Sequence, residues 1–84
     1  MIVFPNPTAD YVNIIADVNE ASSVIVYDVT GKKVSSTYLR QTLNIMNRKE
    51  GLINTSAFSS GLYSYTVVDK EGNILRAGKF NVAR

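Results

Sequence analysis

The chain of 84 residues contains no cysteine and no histidine. Without cysteine there is no disulfide framework, no thiolate nucleophile and no cysteine-held metal. Without histidine, the Ser-His and Cys-His catalytic pairs are gone, along with the usual zinc ligands and the side chain that titrates near neutral pH. Only two prolines occur, and both fall in one tripeptide, Pro5-Asn6-Pro7. No apolar run approaches the roughly 20 residues of a membrane-spanning helix. Met1-Ile2-Val3-Phe4 is too short, and lacks the basic flank, for a secretory leader. Charge of either sign is scattered: nine basic against seven acidic residues leave +2, and no like-charged run is longer than the two residues of Lys32-Lys33. That is not the basic stripe of a nucleic-acid surface, so no nucleic-acid partner is expected.

What is present reads as strands. From Gly61 to Val68, Tyr63, Tyr65 and Val67 alternate with Leu62, Ser64, Thr66 and Val68, the period-2 pattern of an extended chain rich in β-formers. This is expected to be an inner strand on which the two ends of the chain pack. In residues 10–16 the set Val12, Ile14 and Ala16 is uniformly apolar and is assigned to the core. Residues 23–29 are apolar on both faces, as in an inner strand, and residues 33–38 form a more polar return strand near an edge. Between them, Asp28-Val29-Thr30-Gly31-Lys32 has the chemistry of a hairpin loop, with Gly31 supplying positive φ.

Residues 39–47 fit either a strand or, through Leu39, Leu43 and Met46, a helical face. The strand is favoured because Thr42, Asn44 and Asn47 are poor helix formers. Arg48-Lys49-Glu50-Gly51 is assigned to a turn, residues 52–55 to a short strand, and Phe58 to a plug over one end of the core. After the hairpin at Glu71-Gly72-Asn73, residues 74–82 return. Gly78 there marks a bulge or a close approach, and Phe80 and Val82 share the inward face. About seven strands at this spacing, in a chain near the size at which a core buries roughly 60% of the unfolded surface, make one all-β domain, residues 1–84, of sandwich or small-barrel type.

Candidate chemistry is sparse. Asp69, Glu71 and Asn73 lack the twelve-residue spacing of a calcium loop. The acidic pairs have no partner that would make them catalytic. Neither metal nor cofactor is implied, and no enzyme is expected. Asn54-Thr55-Ser56 matches a glycosylation sequon only in a eukaryotic secretory setting.

Three pieces occur in order: Phe4-Pro5-Asn6-Pro7 with Tyr11-Val12-Asn13-Ile14; then Val26-Tyr27-Asp28-Val29-Thr30-Gly31-Lys32-Lys33-Val34; then Ser60-Gly61-Leu62-Tyr63. With the closing Gly78-Lys79-Phe80 they resemble the C-terminal sorting domain of type IX (Por) secretion substrates over almost the whole chain. The resemblance implies an Ig-like antiparallel β-sandwich at the tail of a larger cargo protein. It implies recognition by type IX machinery in the periplasm of a Gram-negative bacterium and passage across the outer membrane to the cell surface or medium. In many members a sortase-like protease then removes the domain, at a cut upstream of it, and attaches the cargo to the surface.

The recognition residues it suggests are Pro5, Asn6, Pro7, Asp28, Gly31, Lys32, Gly61, Tyr63, Lys79, Phe80, Val82 and Arg84. Asn81 and Arg84 depart from the more apolar, lysine-ended tail common in the family, although Arg84 keeps the charge. The terminal strand is expected to offer an edge for strand addition, and exposed edges can also pair or swap strands in a homodimer of the isolated domain. Two other functional classes compete: an adhesive or carbohydrate-binding Ig-like module, which would show a platform of exposed tyrosines, and an oligonucleotide-binding barrel, which would show basic and aromatic residues on one sheet face.

Overall fold

In the computed structural model, which describes residues 1–41 and 48–83, the chain is all-β. Among the described residues there are eight strands: β1 (Ile2–Phe4), β2 (Tyr11–Ala16), β3 (Ser23–Tyr27), β4 (Lys33–Tyr38), β5 (Arg40–Gln41), β6 (Lys49–Asn54), β7 (Gly61–Val68) and β8 (Ile74–Val82). They form two antiparallel four-stranded sheets, ordered β1-β2-β6-β5 and β4-β3-β7-β8. In immunoglobulin lettering these are the A-B-E-D and C′-C-F-G sheets. The expected Ig-like sandwich is thus present.

The core follows from alternation. Val12, Ile14 and Ala16 of β2 meet Val24 and Val26 of β3, Ile53 of β6, Tyr63, Tyr65 and Val67 of β7, and Phe80 and Val82 of β8 in one cluster. Most of these are completely buried, and full burial of such a side chain stabilises by roughly 1.5–3 kcal/mol. Both apolar-faced strands, β3 and β7, are inner strands, and polar β4 is an edge, as their sequences suggest. Phe58 packs on the cluster from the β6–β7 connection.

The structure differs from the sequence expectation in two places. The eighth strand is β1: a three-residue ladder pairs Phe4 with Asn13 and ends where the prolines begin. Lys49, Glu50 and Gly51 belong to β6 rather than to a turn. Gly51 serves a close approach instead, since a Cβ there would lie 2.7 Å from Cδ2 of Leu39, the buried residue through which the chain crosses from β4 to β5. Of the strand assigned to residues 39–47, Arg40 and Gln41 form β5, and 42–47 lie outside the described residues. Val68 is buried as well, beside a shift of the β7–β8 register between Val67 and Val68.

Gly78 sits opposite Tyr65 in the β7–β8 ladder, and the Tyr65 ring occupies the space a Cβ on Gly78 would need. It marks a close approach, not a bulge. An aromatic ring laid over a cross-strand glycine fills the gap that the missing side chain leaves.

Candidate functional site

The strand directions bring the sequence motifs to one end of the sandwich. Phe4 and Tyr11 bound the β1–β2 connection, Tyr27 and Lys33 the β3–β4 loop, and Asn54 and Gly61 the β6–β7 connection. Val82 of β8 pairs with Gly61 at that same end. The ammonium of Met1 lies at the other end, 3.7 Å from the Asp17 carboxylate.

The β1–β2 connection is fastened to β8. Both X-Pro bonds, Phe4-Pro5 and Asn6-Pro7, are cis. The backbone N of Asn81 donates to Oδ1 of Asn6 (3.0 Å), the N of Thr8 donates to the O of Asn81 (2.9 Å), and the N of Ala83 donates to the O of Thr8 (2.7 Å). Thr8 thereby forms a parallel bridge with Val82. Buried itself, Thr8 also donates its hydroxyl to the carbonyl of Tyr11. The outer edge of β8 is therefore taken at Asn81 and Ala83. Two-residue alternation leaves Ala77 and Lys79 with outward backbone groups.

The β3–β4 loop is built around one carboxylate. Oδ1 of Asp28 accepts from the N of Thr30 (2.9 Å), the Oγ1 of Thr30 (2.6 Å) and the N of Lys32 (3.0 Å). The N of Asp28 donates to the O of Lys32 at 2.9 Å, and Gly31 takes φ of 88°, a conformation glycine adopts without steric cost. The Thr30 hydroxyl foremost, helped by the backbone donors and the Lys32 charge, holds the Asp28 carboxyl below its ordinary 3.8 against the opposing effect of desolvation.

At the β6–β7 corner Tyr63 is buried, stacks with Phe80 at 5.9 Å, meets Phe58 in a tilted contact at 5.0 Å, and donates its hydroxyl to the O of Ser59 at 2.7 Å. A tyrosine at the start of strand F bonded back to the backbone a few residues upstream is the tyrosine corner of Ig-like sandwiches. Ser60-Gly61-Leu62-Tyr63 thus has a structural task. Tyr65, two residues on, fills the buried position that antibody domains give to a cysteine, and burial pushes its hydroxyl above its ordinary 10.0.

Asp28, Gly31, Tyr63 and Lys79, four of the residues singled out from the sequence, line one cleft of about 220 Å³ with Val29, Leu62 and Ser64. Phe80 and Val82 are core residues beneath it. Lys32 is exposed in the loop, Gly61 opens β7, and Pro5, Asn6 and Pro7 are exposed on the strap over β8. Arg84 lies outside the described residues. Sequence reasoning missed Thr8, Val29 and Leu62. Thr8 left no sequence signal, because its importance comes from a partner at the far end of the chain. Val29 did leave one: it is an apolar residue at a loop tip. A larger cleft of about 340 Å³, on the outer face of β2 and β6, contains none of the singled-out residues.

Among the described residues no group of acidic side chains is placed to hold a metal ion, and no helix is long and apolar enough to cross a membrane. Comparison with known families finds one model matching residues 2–78, described as "Secretion system C-terminal sorting domain". Searches of curated proteins and of solved structures return no match.

Proposed function

The chain belongs to the secretion system C-terminal sorting domain family, and we propose that the folded sandwich shows one end, the one gathering its motifs, to protein components of the type IX machinery. The observation that carries this is the convergence of Asn6, Asp28, Gly31, Tyr63 and Lys79, distant in sequence, on that end. A cargo joined ahead of Met1 leaves from the opposite end, near Asp17, so it does not cover the recognised surface.

In this role the domain is an address and not a catalyst. The cargo passes through the periplasm of a Gram-negative bacterium and across the outer membrane to the surface or medium. A sortase-like protease is the further partner, cutting upstream of the domain before the cargo is attached. Main-chain pairing contributes through the open part of the β8 edge at Ala77 and Lys79, since Asn6 and Thr8 hold its end. A sugar-binding role is less well supported: Tyr63 and Tyr65 are buried, and exposed Tyr11 and Tyr38 belong to different sheets.

The test is export of a periplasm-targeted fluorescent reporter fused to residues 1–84, in a type IX-competent cell and in a translocon-deficient strain. Signal at the surface or in the medium of the competent cell alone is expected. Folded reporter retained in the periplasm of both strains would overturn the proposal. Truncating the chain after Gly78 is a poor probe of recognition, because it removes Phe80 and Val82, each 1% exposed, from the core. Lys79→Glu changes the displayed surface and spares those core residues.

A further inference from the structure

The molecule contains an internal control for its β3–β4 loop. At the far end of the same sheet, Asp69-Lys70-Glu71-Gly72-Asn73 joins β7 to β8 with the same hydrogen-bond scheme. Oδ1 of Asp69 accepts from the N of Glu71 (3.0 Å) and the N of Asn73 (2.9 Å), and Gly72 takes φ of 86°. In both loops the N of the glycine donates to the O of the aspartate, at 3.0 Å for Gly31 and 3.1 Å for Gly72. The second position is Lys70 in one loop and Val29 in the other. The scaffold therefore accepts a charged residue there, and loop geometry does not account for valine. Val29 is nonetheless 83% exposed, at the mouth of the cleft where Leu62 is 48% exposed.

The size and charge of that cleft specify its occupant. At about 220 Å³ it is smaller than the roughly 300–1,000 Å³ of small-molecule sites and suits a single anchoring side chain of a macromolecule. Ser64 and Lys79 of the cleft belong to an outer-face row that continues in register through Tyr27 to Lys33 across four strands, which sets the two lysines roughly 14 Å apart. Exposed Lys32 adds a third ammonium. The one carboxylate lining the cleft, that of Asp28, has Oδ1 committed to three donors of its own loop. The apolar lining and the lysines in and beside the cleft together call for an apolar side chain flanked by carboxylates. The loop is already held in shape, so little ordering is needed on binding.

We propose that the cleft between the β3–β4 loop and β8 seats one aliphatic or aromatic side chain of an acidic segment of a protein partner, with Lys79 and Lys33 facing its carboxylates. This rests on the sorting role above and names the chemistry of the surface that reads it.

The probe is a blocked heptapeptide alternating glutamate and leucine, titrated into the ¹⁵N-labelled 84-residue chain up to about 5 mM, the weak end of affinity for a single anchor. Saturable shifts at Val29, Leu62, Ser64 and Lys79 are expected. Val29→Lys, which copies the sister loop and should leave the fold and melting temperature unchanged, and Lys79→Glu should each weaken binding roughly tenfold or more. A lysine-leucine peptide should not bind. Absence of saturable shifts, equal binding by Val29→Lys, the same shifts with inorganic phosphate alone, or shifts confined to the β8 edge would each overturn the proposal.

Export of the fused reporter separates the two readings. Loss of export by Val29→Lys beside an exported parent supports the cleft, and equal export of both shows that sorting does not use it. An unexported parent refutes the sorting role itself, and the peptide titration then decides the cleft alone.

Discussion

The side-chain oxygen of Asn6 lies 3.0 Å from the backbone nitrogen of Asn81, across 75 positions of sequence. Together with the two backbone bonds of Thr8, this contact fastens the first connection of the chain over the end of β8. Asn6→Ala removes one exposed hydrogen bond and should cost about 0.5–1.5 kcal/mol. Thr8→Val keeps the shape but removes the part-buried hydrogen bond from the Thr8 hydroxyl to the Tyr11 carbonyl, at about 0.5–1.5 kcal/mol. Thermal melts should show both, at about 4–8 °C per kcal/mol for a domain of this size. Amide exchange at Asn81 should accelerate in the first variant.

Gly78→Ala forces a methyl group against the buried ring of Tyr65. Overpacking of this kind costs about 1–3 kcal/mol. Tyr65→Phe withdraws the atom nearest the new methyl, so the combined variant should be less destabilised than the sum of the two single ones. Gly51→Ala meets chiefly the flexible tip of Leu39 and should cost less than Gly78→Ala. Denaturant melts of the four proteins would check this order.

Tyr63→Phe tests the corner. It keeps the ring stacked on Phe80 and removes the donor to Ser59. The expected loss is about 1–3 kcal/mol, with the Phe80 signals little changed in a methyl and aromatic NMR spectrum. An unchanged melting temperature would mean that the hydroxyl contributes nothing to the corner.

Acid should weaken both loops. The Asp28 carboxyl is lowered first by the Thr30 hydroxyl and the Asp69 carboxyl first by the backbone N–H of Asn73, each from 3.8. A carboxyl lowered in the folded state contributes stability that is fully present above the unfolded value and is lost as pH falls through the folded one. The melting temperature should therefore begin to fall below about pH 4. In an Asp28→Asn, Asp69→Asn double variant it should start lower at neutral pH and fall less in acid. An equal acid drop in both proteins would assign the effect to other carboxylates.

How much of this was legible beforehand depends on the range of each interaction. Val12, Ile14, Phe80 and Val82 reveal their burial by alternation, whereas Val24 and Val26 lie in a strand apolar on both faces; Asp28 and Gly31 reveal their loop by local turn chemistry. Lys49 to Gly51 was misread because a charged pair before glycine has the composition of a turn. The reason for that glycine is the Leu39 side chain on another strand, which local composition does not record. Tyr63 and Tyr65 both lie in the core. Thr8 was invisible for the same kind of reason. The motif residues could be named from the sequence, whereas their meeting around one cleft with Val29 and Leu62 required the strand order.

The bridge between Thr8 and Val82 also bears on timing. Because β8 supplies both Phe80 to the core and the rail on which Thr8 closes, nothing synthesised before residue 82 can complete the sandwich. Contacts this distant in sequence form late. A polypeptide broken off during translation would carry most of these motifs yet never assemble the end that displays them. In a secretory role, the address would become readable only on a chain made through to its final strand.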